Sequence, residues 1–324
     1  MALGLFSRKP STARRALSEQ DYRPAPPATI PDDVLDRAVT LGRFGLIAVA
    51  AADLQAHPKF GAALAKAQRH IDESFALVPE GFVSLVQTIN DEPGCSEADF
   101  ETAPFLLARH PVTNEEFQRF VDAGAYEDYQ LWPESVWPHL IDFKDLTGQS
   151  APRFWRDGRH DQRLARHPVV GICWYEAAAF AAWAGYRLPT EAEWQMAASW
   201  RLRGPTATIR RYPWGESLDL ECCNIWASGH SRTLPVEACP AGAAPNGVMQ
   251  LIGNAWEWVN GDYECTNDKG HRIIGEMQMK SIRGGAFDTY FPWQATSTFR
   301  TGLGALSRPH NVGFRCALDI VGKR

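Results

Sequence analysis

The sequence predicts an α+β fold: an irregular domain of short strands and a few capped helices, preceded by a helical segment. Three observations carry this expectation. Helical spacing with capping signals occurs in only a few places. Between those places, short apolar or aromatic runs alternate with clusters of Gly, Pro, Asn and Asp. And 12 tryptophans stand in 324 residues, the large side chains needed to fill a core poor in regular structure. No internal repeat is evident.

Residues 1–31 read as a flexible tail or linker, because a basic stretch is followed by "RPAPPATIP", whose prolines remove donors and favour extended backbone. Residues 32–76 read as a helical hairpin. Its first helix has acidic residues at its start and apolar residues at Val34, Leu35, Val39, Leu41, Phe44 and Leu46, and its second covers "FGAALAKAQRHIDESFAL". The hairpin is expected to pack on the larger domain or to recruit a protein partner. Residues 77–324 form the main domain. Within it, "TNEEFQRFVDAG" starts at a Thr113 or Asn114 cap and stops near Gly124, and "WYEAAAFAAWAG" ends at Gly185. In "PTEAEW", Thr190 and Glu193 make a T-x-x-E capping box for a third helix, "EAEWQMAASW". Gly284, Gly285 and Gly313 mark strands where backbones approach closely, or turns.

Composition narrows the function. Lys plus Arg number 33 against 38 Asp plus Glu, and a net charge of -5 gives no electrostatic case for nucleic acid or an anionic membrane as partner. The strongest apolar run, "FGLIAVAAADL" from Phe44, is about half the ~20 residues a bilayer requires. The N-terminus lacks a long apolar core ending in a cleavage site, so a cytoplasmic location is expected. The 7 cysteines are an odd number without framework spacing and read as small buried thiols; adjacent Cys222 and Cys223 are no C-x-x-C pair. No G-x-S-x-G, H-E-x-x-H, P-loop or dinucleotide pattern occurs.

Four ordered blocks, "HPVTNEEFQRFVDAGAY", "HPVVGICWYEAAAFAAWAGYRLPTEAEWQMAASW", "GVMQLIGNAWEWV" and "IRGGAF…NVGFRCA", resemble the formylglycine-generating enzyme family, or sulfatase-modifying-factor domain, from about Val78 to Leu318. The resemblance implies a variant of the C-type lectin architecture, with twisted antiparallel strands, few helices and long irregular connections. In that family two cysteines shortly after the "RGG" strand bind copper(I), and the enzyme oxidises a cysteine of a client sulfatase. Here Thr289 and Gln294 stand where the resemblance places those cysteines, and no cysteine occurs between Arg283 and Arg315. Neither a hydroxyl nor an amide replaces a thiolate toward copper(I), so copper is not expected and catalytic residues remain unassigned.

The same resemblance implies a structural calcium ion, held by the side chain of Gln250, the backbone carbonyls of Gly253 and Ala255, and the Glu257 carboxylate, an oxygen-only set suited to a hard cation. The other reading of Glu257 is a buried carboxylate that bonds protein donors without an ion. A second family calcium site, starting at Asn224 and Ile225, is expected to be lost because the loop that follows is short and holds no Asp between Ile225 and Pro235. A related branch, the hercynine oxygenases, adds a helical bundle whose histidines hold nonheme iron. In this chain His57 with Asp53, and His70 with Glu73, have helical spacing, and Asp72 lies beside them, so iron is conceivable though unsupported.

Near the C-terminus, Arg283, Arg300, Arg308 and His310 alternate with Phe291 and Trp293, a pattern suited to a carboxylate or a peptide backbone; Arg315 in "GFRC" reads equally as structural. The sequence therefore leads to a divergent sulfatase-modifying-factor domain that binds a peptide or small polar ligand without copper-dependent oxidation. The alternative is a nonheme metal oxidoreductase of the same superfamily.

Overall fold

The computed structural model describes residues 22–49, 52–86, 97–200, 209–263, 265–266, 272–273 and 278–320. Most of the expected tail, and the side chain of Asp53, lie outside the described residues. Residues 22–31 depart from the free linker expected. They lie along the domain, where the Ala25 N–H donates to the His160 carbonyl at 3.0 Å and the Arg23 carbonyl accepts from Gln162 N at 2.8 Å. An extended proline-rich strand keeps such groups available for a neighbour.

The helical segment is four pieces rather than two: α1 (Val34–Thr40), α2 (Phe44–Val49), α3 (Ala52–Gln55) and α4 (Phe60–Ser74). Asp33 caps α1 by accepting from Asp36 N at 2.8 Å. The chain breaks at Gly42, whose φ of +73° is left-handed and ends the helical run. Leu35, Ala38, Phe44, Ile47, Leu54, Ala63 and Ala67 bury against one another as a small separate core. The segment also docks on its own domain, because α2 approaches so closely at Gly45 that a Cβ there would lie 2.6 Å from a Tyr186 ring carbon.

The main domain carries α5 (Asn114–Asp122), α6 (Trp174–Ala184) and α7 (Glu191–Ser199). Each starts as its sequence demands. Thr113 and Glu116 form a reciprocal capping box on α5, as do Thr190 and Glu193 on α7, where Thr190 N–H donates to Glu193 Oε2 at 2.8 Å and Glu193 N–H to Thr190 Oγ1 at 3.2 Å. Gly185, at φ +81°, ends α6.

The strands are β1 (Phe75–Val78), β2 (Gly81–Val86), β3 (Glu97–Thr102), β4 (Phe105–Ala108), β5 (Trp256–Asp262), β6 (Cys265–Thr266), β7 (Arg272–Ile273), β8 (Met279–Arg283), β9 (Arg300–Gly304), β10 (Val312–Phe314) and β11 (Ala317–Asp319). One sheet has the order β10-β5-β8-β9, with β10 parallel to β5 and the other pairs antiparallel. In a second, β4 lies between β1 and β11, so the two ends of the domain close on each other. The pairs β2-β3 and β6-β7 complete the described strands.

Aromatic side chains fill the space between α5, α6 and the first sheet. Phe117 stacks on Phe180 at 5.3 Å and meets Trp155 and Phe314 edge-on at 6.2 and 6.3 Å. Such rings each bury on the order of 150–250 Å², which compensates for short strands. Among the described residues no helix is long and apolar enough to cross a membrane.

Candidate functional site

Strand β8 delivers the chain to the segment 286–299 through two glycines. Gly284 and Gly285 have φ of +97° and +81°, and a Cβ on Gly284 would lie 2.5 Å from the Leu251 carbonyl oxygen. The glycines are thus both a turn and a close approach, the two roles the sequence left open. A tight turn follows. Thr289 Oγ1 accepts from Ala286 N at 2.8 Å, Thr289 N–H donates to Ala286 O at 2.9 Å, and the Thr289 carbonyl accepts from Trp226 N at 3.2 Å. Thr289 is buried by these contacts and closes the loop. Gln294 ends a short 3-10 turn, its N–H on the Phe291 carbonyl at 3.0 Å.

This turn projects rings into solvent. Trp226, Tyr290 and Phe291 are 55%, 63% and 50% exposed. They run in series, Trp226 to Tyr290 at 6.1 Å, Tyr290 to Phe291 at 5.1 Å and Phe291 to Trp293 at 5.9 Å, and Trp293 anchors the row on Phe299 at 5.3 Å. At its edge His310 Nε2 and Asn311 Nδ2 both contact Asp288, at 3.0 Å each. A row of exposed rings of this kind offers flat apolar area on which another group can stack. Sequence reasoning named Phe291, Trp293 and His310 but missed Trp226, Tyr290 and Asp288. Trp226 comes from a distant segment and is joined to the turn by its backbone bond to Thr289.

The arginines expected beside these rings are not part of the surface. Arg283 is fully buried; it donates to Glu191 Oε1 at 2.9 Å, to Gln195 Oε1 at 2.6 Å and to the Ser297 carbonyl at 2.8 Å, and burial lowers its pKa to about 10. Arg300 grips the same Glu191 through two bonds of 2.8 Å. Arg308 lies elsewhere, paired with Glu176 at 2.8 and 2.9 Å and bonded to the carbonyls of Lys144 and Ala151. All three are thus paired with buried carboxylates of α6 and α7. The signal that could have revealed this is Glu191 and Glu176, first-turn carboxylates on alanine-rich helices that bury most of their residues, since a buried carboxylate demands a paired cation.

The "GNAWEW" segment also differs from expectation. Glu257 is buried, and both oxygens are occupied: Oε1 by Arg315 Nη2 at 2.6 Å, and Oε2 by Arg315 Nε at 2.7 Å and Trp194 Nε1 at 2.8 Å. Arg315 further donates to the carbonyls of Ala108 and Met249. Gln250 Oε1 accepts from Asn254 Nδ2 at 2.7 Å, while its amide donates to Pro235 and Ala238. Gly253 O accepts from Ala255 N at 2.9 Å. A cation placed on Glu257 would face a guanidinium within hydrogen-bond distance, so the set Gln250, Gly253, Ala255 and Glu257 does not fit a calcium ion as arranged. The nearby Asn224 Oδ1 is buried without a hydrogen-bond partner.

The N-terminal histidines do not converge. His57 Nε2 meets Asp33 at 3.0 Å near the surface, whereas His70 contacts Ser74 Oγ at 3.4 Å and packs on Phe44 with ring centroids 4.4 Å apart. Asp72 and Glu73 are exposed. No group of three or more His, Cys, Asp or Glu among the described residues is arranged to hold a metal ion. Cys173, Cys222, Cys223, Cys239 and Cys316 are free, and burial raises the pKa of every one, Cys223 to about 12. None is poised as a thiolate.

Comparison with known proteins places this geometry. A family profile described as sulfatase-modifying factor enzyme 1-like domain matches residues 61–320. The chain is similar to the hercynine oxygenase of Mycobacterium tuberculosis, 41% identical over 165 residues, which cover 48% of this chain and 37% of that protein. It therefore spans little more than a third of that relative's length. It is 31% identical over 264 residues to the formylglycine-generating enzyme of Thermomonospora curvata, covering 67% of this chain and 82% of the enzyme. Among solved structures, PvdO from Pseudomonas aeruginosa superposes with a TM-score of 0.51 at 22% identity, over 76% of this chain and 94% of PvdO, a likeness of fold.

Proposed function

The chain belongs to the sulfatase-modifying factor enzyme 1-like family, and from that membership we propose a divergent member that binds a peptide or small polar ligand on the ring-bearing face of residues 286–299 without oxidising a cysteine through copper. The observation that carries this reading is the loop itself. Thr289 and Gln294 stand at the positions that the family resemblance gives to the copper-binding cysteines, and the Thr289 hydroxyl is engaged by the Ala286 N–H at 2.8 Å. Copper(I), when bound in the family, supplies activation of dioxygen and the client thiol through soft sulfur ligands, and oxygen and amide donors do not provide that ligand field.

What remains is a surface. Tyr290, Phe291 and Trp226 offer flat apolar area, and Asp288 with His310 and Asn311 offers polar groups at one edge. An open row of this kind favours an extended peptide over a small molecule, which usually needs a concave site. The test is an immobilised peptide array probed with the full chain and with Tyr290→Ala and Phe291→Ala. Both residues are exposed, so the variants should fold, and binding should fall in each. A peptide set bound equally by all three proteins would remove the face from the proposal.

The oxidative reading keeps one support, the 41% identity to a hercynine oxygenase. Iron in purified protein at one equivalent per chain would favour it over the binding reading. A structural calcium ion would require Glu257 to leave Arg315, so no step of this proposal depends on one.

A further inference from the structure

A cleft of about 740 Å³ lies between the helical segment and the domain, away from residues 286–299. Its walls are the α1–α2 turn, one face of α4, the first turns of α5 and the end of α6. The volume suits a small molecule. At this cleft the guanidinium groups of Arg69 and Arg119 make neither a hydrogen bond nor an ion pair among the described residues. Arg119 is half-buried and Arg69 exposed, whereas the half-buried Arg43, Arg109 and Arg187 all donate to protein acceptors. Arg119 also reaches the α1–α2 turn, its Nη1 lying 2.7 Å from where a Cβ on Gly42 would sit. Arg166, by contrast, is paired with Glu115 and Glu237.

The remaining polar groups define what could enter. Glu116 is committed to its capping box through Thr113 N at 2.8 Å and Thr113 Oγ1 at 2.7 Å. His110 lines the cleft, and its Nε2 is buried without a hydrogen-bond partner. Burial lowers the pKa of both His70 and His110 and keeps them neutral near pH 7. The lining cations Lys66, Arg69, Arg119 and Arg166 exceed the lining carboxylates Glu73, Glu115 and Glu116 by one charge, and Glu237 offsets Arg166 further. With Glu115 and Glu237 taken up by Arg166 and Glu116 by its capping box, the side chains of Arg69 and Arg119 are left for an anion, and the near-even total charge disfavours a dianion. Phe44, Phe75, Phe180 and Trp183 supply an apolar wall.

We propose that this cleft is a binding site for a small organic monocarboxylate with an apolar body, its carboxylate gripped by Arg119 and Arg69 and its body laid on the aromatic wall. Planar guanidinium groups match a carboxylate in two parallel bonds, and an arginine without an internal partner has that fork available.

The test uses the full chain and measures thermal shift and calorimetric binding with sodium benzoate and hexanoate, with methyl benzoate as the uncharged control and phenyl phosphate as the dianion. The expected result is saturable binding of the two carboxylates, none of the ester, and weaker binding of the phosphate. Arg119→Gln should weaken carboxylate binding by about tenfold or more. Arg69→Gln, at an exposed position, should weaken it too and keeps the test informative if Arg119→Gln does not fold. Absence of carboxylate binding, equal affinity in the folded arginine variants, or tighter binding of phenyl phosphate than of benzoate would overturn the proposal.

Discussion

Replacing Glu257 by alanine separates a buried ion pair from a metal ligand. The carboxylate takes three charge-assisted or indole bonds, two from Arg315 and one from Trp194, at 2.6 to 2.8 Å. Arg315 is fully buried, so its charge would lose its counter-ion with no route to water. Breaking such a pair by removing one partner costs about 3–5 kcal/mol. The orphaned Trp194 N–H belongs to the same network, so its penalty is not added separately. In a domain of this size each kcal/mol moves the melting temperature by roughly 2–4 °C, which places the expected drop at about 6–20 °C. The assay is a melting curve followed by circular dichroism for the wild type, Glu257→Ala and the double variant Glu257→Gln, Arg315→Met, each in chelator and in excess calcium. The single variant should melt far lower in both solutions. The double variant should recover part of the loss, because no buried charge is left uncompensated. If Glu257→Ala melts within about 2 °C of wild type in chelator and differs only by losing a calcium-dependent rise, the carboxylate is a metal ligand and the ion-pair reasoning fails.

Two further outcomes follow from capping and from buried imidazoles. Thr190→Ala should destabilise the protein by about 0.5–2 kcal/mol in a denaturant titration, since the Thr190 hydroxyl satisfies Glu193 N–H at 3.2 Å; an unchanged midpoint would contradict the cap. Burial lowers the pKa of His160 and of His167 to about 4 in the folded state. Both lie below the unfolded value of about 6.5, so the unfolded chain takes up protons first and stability falls as pH drops from about 6.5 toward about 4. His160→Asn and His167→Asn should flatten this acid limb of a stability-versus-pH curve. A slope unchanged in both variants would mean that other groups set it.

The parts of the fold that were legible in the sequence are those written in local chemistry. Thr190 with Glu193 specifies a helix start from a four-residue pattern, the start of α5 was legible to within Thr113 or Asn114, of which Thr113 is the cap, and Gly185 specifies a stop. The break of the helical segment at Gly42 was less legible, because a glycine inside an apolar-periodic run is often tolerated, and its left-handed φ has no mark in the local sequence. The candidate site was legible only in part. Arginines close in sequence to Trp293 suggested one ligand cluster, yet β8 and β9 turn Arg283 and Arg300 inward onto Glu191, and Arg308 reaches Glu176. Which carboxylate a given arginine meets depends on sheet register and helix docking across separations of 92 to 132 residues, and no local pattern encodes that. The row of exposed rings was equally hidden, since Trp226 and Tyr290 meet across a connection with no periodic signal.

The central claim, binding without copper-dependent thiol oxidation, is tested most directly by mass spectrometry of a cysteine-containing sulfatase-type peptide after incubation with the full chain, copper, a reductant and dioxygen. The account predicts that the cysteine is recovered unchanged at the level of a control without protein, because Thr289 and Gln294 supply no thiolate and burial raises the pKa of Cys173, Cys222, Cys223, Cys239 and Cys316. Conversion of the cysteine to formylglycine above that control would contradict it.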